Sequence, residues 1–240
     1  MKFLIFLLVP LILAGHPKVK FRSSESSSDS ESESSESNSG SSESEESREH
    51  HQHPKPPAPA PKTPSCPPNW RQFQRSAGLW CIQVFWSGIN RYDAESQCQA
   101  LGATLTGFDS LEERAYVQNS AIPFLQSTGI RAGSFWIGLV RRPSCYGYLQ
   151  SLQAACRGSQ GFMWTDGVST RQDLMNWRDG MPDNAGGNQN CVFMLCRNGP
   201  VPINGVRPER FDDIECVNPP NPWNADSQKI RGYACGKFAQ

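Results

Sequence analysis

The order of apolar and polar positions divides the chain before any motif is considered. Residues 1–15, MKFLIFLLVPLILAG, make one apolar run behind a single Lys and close on small residues. That pattern predicts a secretory signal peptide, too short to span a bilayer as a stable helix. From Ser23 to Glu49 no apolar side chain occurs, so nothing there can offset the entropy of ordering, and residues 16–49 are expected to form a disordered arm. Residues 50–65 set His50, His51 and His53 before a Pro-rich run, expected as an extended spacer rising about 3.1 Å per residue. Beyond Pro64 apolar positions return. The runs LWCIQVF (Leu79–Phe85) and SFWIGLV (Ser134–Val140) predict strands. Two stretches between them have helical spacing. NRYDAESQCQALG offers Asn90 as N-cap, sets Ala94, Cys98 and Leu101 on one face, and stops at Gly102. SLEE gives Ser110 and Glu113 capping-box spacing, and its helix runs through Leu111, Ala115 and Tyr116 to an expected end before Pro123. Strands mixed with two early helices predict an α+β fold for residues 66–240 rather than a βαβ repeat.

Charge sharpens the division. From Arg22 to Glu49 nine Asp/Glu face two Arg, whereas from Cys66 onward sixteen Lys/Arg accompany fourteen Asp/Glu. A polyanionic arm thus precedes a nearly neutral domain, and no nucleic-acid partner is expected. Six of the seven Trp lie between Trp80 and Trp223, enough aromatic surface for a sizeable core. All nine Cys fall between Cys66 and Cys235. Behind an export signal they are expected as disulfides rather than metal ligands. No later apolar segment is long enough for a membrane span, so the expected location is extracellular.

The arm has three readings. The plainest is a solvating tail. Ser23, Ser34, Ser41, Ser44 and Ser47 each stand two residues before a Glu, a spacing that resembles the preference of secretory-pathway kinases. Phosphorylation would add about −1.5 to −2 charges at each and make the arm a ligand for Ca²⁺, matrix or mineral. Ser39, followed by Gly40 in acidic surroundings, resembles a glycosaminoglycan attachment site. The His cluster sits on a flexible segment and lacks a preorganised metal geometry.

Catalysis finds little support. All four His, at 16, 50, 51 and 53, lie outside the domain, which removes the imidazole of a Ser-His or Cys-His centre and of a catalytic zinc site. The adjacent carboxylates Asp212 and Asp213 would face opposite sides of a strand, unlike a glycosidase pair. The reading is a binding protein, not an enzyme.

Taken in order, CPPNWRQFQRSAGLWC, DAESQCQALGATL, SLEERAYV, FWIGL, NWRDGMPDN, NCVFML, FDDIEC and YACGKF resemble the motifs of the C-type lectin domain in its long form. The resemblance covers essentially all of residues 66–240 and is nearest in texture to secreted nematode members. It implies disulfides joining Cys66 to Cys81, Cys98 to Cys235 and Cys191 to Cys216. Cys145 and Cys156, in an insertion where the family has no fixed pair, are expected to join each other. Cys196 is left over. Its strand parity is opposite to that of Cys191, and it is read either as a buried thiol or as the link of a disulfide dimer. Trp136, Trp164 and Trp177 resemble core positions of the family, while Trp223 is a candidate for stacking on a sugar ring.

The resemblance also implies a Ca²⁺ and carbohydrate site. Its positions here are Met181, Asp183, Gln189, Asp212 and Asp213, with Pro182 as a cis proline. Met181 brings a thioether where the family has an oxygen, and Ca²⁺ seeks six to eight oxygens. Three carboxylates nevertheless remain. Gln189 and Asp212 exchange the family's usual donor and acceptor, so both kinds of partner for a sugar hydroxyl are kept. The family rule linking the Pro-flanking residues to sugar type leaves only a lean toward galactose from Asp183. The expected partners are therefore glycans or glycoproteins, with Ca²⁺ as cofactor if the site tolerates Met181. The alternative is an extracellular matrix- or mineral-associated protein acting through a phosphorylated or glycosaminoglycan-bearing arm, with a lectin-like domain that binds protein.

Overall fold

Near the start of the domain, alternation produces a hairpin. In β1 (Arg71–Arg75) Phe73 and Arg75 point inward, and β2 (Gly78–Trp86) returns antiparallel with Phe73 opposite Trp80. These features belong to a computed structural model that describes residues 63–199, 208–217 and 228–240. The signal peptide, the arm with its serines, the His cluster, most of the Pro-rich spacer and Trp223 lie outside the described residues. Ser65 and Gln240 exchange backbone hydrogen bonds, which tie the two ends of the domain together.

Helix α1 (Arg91–Ala100) starts where its cap predicts: the Asn90 side chain accepts from the Asp93 amide. Ala94 and Cys98 are buried, but Leu101 is 42% exposed. It falls on the C-cap, where the chain turns away from the apolar face. Helix α2 (Leu111–Ser127) is capped by Ser110, which accepts from the Glu113 amide. It does not end before Pro123. Pro123 lies inside it on the exposed side, and the last turn is held by buried Ala121 and Leu125 and by Phe124, which stacks on Trp86 with ring centroids 4.6 Å apart. Burial of that turn outweighs the backbone bond that proline removes. Glu113 also serves beyond the cap, taking a two-pronged ion pair from buried Arg75 at 2.8 and 2.9 Å.

The remaining strands are β3 (Thr104–Leu105), β4 (Ala132–Arg141), β5 (Phe162–Trp164), β6 (Cys191–Arg197), β7 (Phe211–Ile214) and β8 (Ile230–Phe238). Their order is β1-β2-β8-β4-β6-β7, with β3 beside β8 and β5 beside β4. β4 and β8 run parallel, the other pairings antiparallel. β6 is buried along its whole length and β4 almost so, which is why both read as continuous apolar runs rather than alternating ones. On one face Val192, Met194 and Cys196 meet Val117, Ala121 and Leu125 of α2. On the other Phe193 and Leu195 join Ala94 and Cys98 of α1, with Trp136 and Tyr233. Gly138 permits a close approach: a Cβ there would lie 2.1 Å from the Leu105 carbonyl oxygen.

All four expected disulfides are present, Cys66–Cys81, Cys98–Cys235, Cys145–Cys156 and Cys191–Cys216. Cys196 is free and fully buried, and burial pushes its thiol well above the ordinary pKa. The geometry therefore gives no support to a disulfide dimer through Cys196, whose sulfur another chain cannot reach without opening the core. The insertion between β4 and β5 folds into 3₁₀ turns around a third, short helix, α3 (Tyr148–Ser151), closed by the Cys145–Cys156 bond.

Candidate functional site

The stretch from Trp177 to Asn190 is pinned at both ends by strands. Arg178 donates its amide to the Phe211 carbonyl, and Asn190 accepts from the Arg141 amide. Between them the Met181–Pro182 bond is cis, as expected. Asn184 then takes φ +49°, a left-handed conformation to which Asn is better suited than most residues. Its buried side chain accepts from the Gln189 amide at 3.0 Å and donates to the Gly147 carbonyl at 3.2 Å. That second bond locks the loop to the stapled insertion.

Asp213 organises this loop from beneath. One carboxylate oxygen accepts from the Asp183 amide at 3.0 Å; the other accepts from the Asn184 amide at 2.9 Å and from Arg141 Nη2 at 2.6 Å. Arg141 Nε donates to the Gln189 carbonyl, and its guanidinium lies 4.5 Å from the centre of the Phe162 ring. Asp212 projects elsewhere and accepts from Arg178 Nη1 at 2.7 Å. Both aspartates are nearly inaccessible, 4% and 2% exposed for Asp212 and Asp213. Burial pushes the Asp212 carboxyl up to about 6 despite Arg178, with the Asp213 and Asp183 charges adding to the rise. Burial also raises Asp213, while the two loop amides and Arg141 hold it down. Asp183 is exposed and Gln189 partly so, and both accept from the same Ala185 amide, at 3.0 and 2.8 Å.

The four expected site residues thus divide into two layers. Asp183 and Gln189 meet at the surface; Asp212 and Asp213 sit below, each with its own arginine. Trp136 and Trp164 are core residues as expected, and Trp177 is partly buried against Phe162.

A family model described as C-type lectin domain-containing protein 141/158 matches residues 68–238. The chain belongs to this family. Among its relatives, human C-type lectin domain family 4 member G is 27% identical over 131 residues, 54% of this chain and 36% of that protein. Caenorhabditis elegans C-type lectin domain-containing protein 158 is 24% identical over 194 residues, 73% of this chain and 89% of that protein. The chain thus spans about a third of the length of the human relative. Among solved structures, the cow CD23 C-type carbohydrate-recognition domain is 21% identical with a TM-score of 0.46, covering 74% of this chain and 99% of that one.

Both oxygens of Asp213 are engaged by two amides and Arg141, an oxygen of Asp212 is engaged by Arg178, and Met181 offers sulfur. No group of three or more His, Cys, Asp or Glu is placed to hold a metal among the described residues. The hard oxygen-rich shell that Ca²⁺ requires does not fit this arrangement, in which guanidinium groups supply the positive charge. Arg141 and Arg178 are site residues that sequence reasoning missed. Arg141 meets Asp213 across 72 positions of chain, a pairing that only the β4–β6–β7 register creates.

Proposed function

We propose that the chain is a secreted C-type lectin-like protein that binds carbohydrate, on glycans or glycoproteins, at the loop surface carrying Asp183 and Gln189, and that it does so without Ca²⁺. The observation that carries this reading is the built loop: Asp183 stands exposed while its own amide and that of Asn184 are fixed from beneath by Asp213 and Arg141. Preorganised polar groups of this kind lower the ordering cost of binding. Four disulfides fit an oxidising, extracellular setting. No helix among the described residues is long and apolar enough to cross a membrane. In this reading residues 1–15 direct export, and 16–49 and 50–65 hold the domain at 66–240 away from its neighbours.

The test is a glycan array probed with the full chain in Ca²⁺ and again in chelator. At least one glycan should bind equally in both. A silent array under both conditions would overturn the proposal. If the chain then bound hydroxyapatite, and phosphatase abolished that binding, the function would move to the acidic arm.

A further inference from the structure

A cavity of about 220 Å³ opens between two parts that the fold brings together, the stapled insertion and the loop containing Pro182. Its walls include Arg141, Leu152, Arg157, Met181, Pro182 and Asp183. We propose that this cleft holds one ring of an uncharged sugar, with Arg141 and Arg157 as donors, the Asp183 carboxylate as acceptor, and no metal ion. The inference rests on the carbohydrate-binding reading and names the place and the ligand class.

Each sugar hydroxyl both donates and accepts, so a site for a pair of them needs donors and acceptors side by side. Arg141 commits Nε to Gln189 and Nη2 to Asp213, leaving Nη1 without a partner among the described residues. That guanidinium is 1% exposed by residue and pinned over Phe162, so its direction is fixed. Arg157 is held by Nε to the Leu152 carbonyl at 2.9 Å and has no carboxylate partner among the described residues. Asp183 uses one oxygen to accept from Ala185, and its second has no partner among the described residues. Leu152, Met181 and Pro182 add an apolar wall suited to the C–H face of a pyranose.

Charge selects among ligands. Arg141 and Arg157 are balanced by Asp183 and Asp213, so nothing in the cleft calls for an ionic group on the sugar. The cleft is also rigid. The Cys145–Cys156 bond closes the insertion, Asn184 ties it to the loop, and Gly187 lies against Tyr148 so closely that a Cβ would meet the Tyr148 backbone nitrogen at 3.2 Å. Little ordering would remain for a ligand to impose.

The experiment uses the full chain in chelator against immobilised glucose, mannose, galactose, fucose and N-acetylglucosamine, with sialylated and sulfated glycans alongside. Arg157→Ala removes a donor at an exposed position, and Leu152→Trp fills the cleft from a side chain that is already 47% exposed. Neither replacement disturbs the core. The expected result is binding of at least one neutral sugar, weakened on the order of tenfold or more by either variant while thermal unfolding is unchanged. Neutral-sugar binding that both variants leave intact would overturn the cleft and leave the carbohydrate reading standing. Binding only of charged glycans would overturn the ligand class, and binding only in Ca²⁺ would overturn the metal-free site. Silence toward every glycan would overturn the reading on which the inference rests.

Discussion

The site is governed by how its buried carboxylates find positive charge. Asp212 shows the cost of that burial. Its carboxyl is raised from 3.8 to about 6, chiefly by burial and against the pull of Arg178. Between these values the folded chain holds a proton that the unfolded chain releases. This contribution to stability is therefore complete below pH 4 and is lost as pH rises through about 6. Two pH units correspond to on the order of 3 kcal/mol. Asp212→Asn should therefore raise the melting temperature relative to wild type clearly at pH 7 and hardly at pH 4, with Arg178 left in partial contact with water. An equal difference at both values would show that Asp212 is not the group involved. None of this environment is visible locally in the sequence. FDDIEC announces two carboxylates, but which arginine meets each depends on strand order, and the resemblance pointed to a cation from solution where the chain supplies its own.

At the element scale, local signals were legible wherever a side chain answers to its near neighbours. Asn90 and Ser110 cap the helices that their spacing predicts, and the run from Ser134 to Val140 lies within β4. The expected stop before Pro123 failed because proline reports only on the helix backbone, while Phe124 and Leu125 are held by residues distant in sequence. Three of the disulfide pairings follow from the resemblance and Cys145–Cys156 from their sharing one insertion, and their consequences differ with loop length. Cys98–Cys235 closes 137 positions and Cys145–Cys156 closes 11. In the chain-entropy account these correspond to about 5 and about 3 kcal/mol. Denaturant unfolding should therefore show a larger loss for the double variant Cys98→Ser/Cys235→Ser than for Cys145→Ser/Cys156→Ser. The smaller loss should be the one that also weakens sugar binding, because it loosens one wall of the cleft. Sugar binding left intact by Cys145→Ser/Cys156→Ser would mean that the insertion is not part of the site.

At the scale of the whole molecule, a two-faced sheet carries its loops on a core stapled by disulfides, and the loop layer is held from within by Arg141. The sheet faces, the helices and the position of the loop followed from apolar patterning and ordered motifs. The cleft did not, because the insertion has no counterpart among the motifs that carry the resemblance and its placement depends on Asn184 reaching Gly147. In the proposed site a guanidinium, rather than a bound metal, completes the contacts to carbohydrate. Calorimetric titration of the full chain with its strongest neutral sugar, first in chelator and then in millimolar Ca²⁺, tests this most directly. The same dissociation constant in both is the predicted result; heat of binding that appears only when Ca²⁺ is present would contradict it.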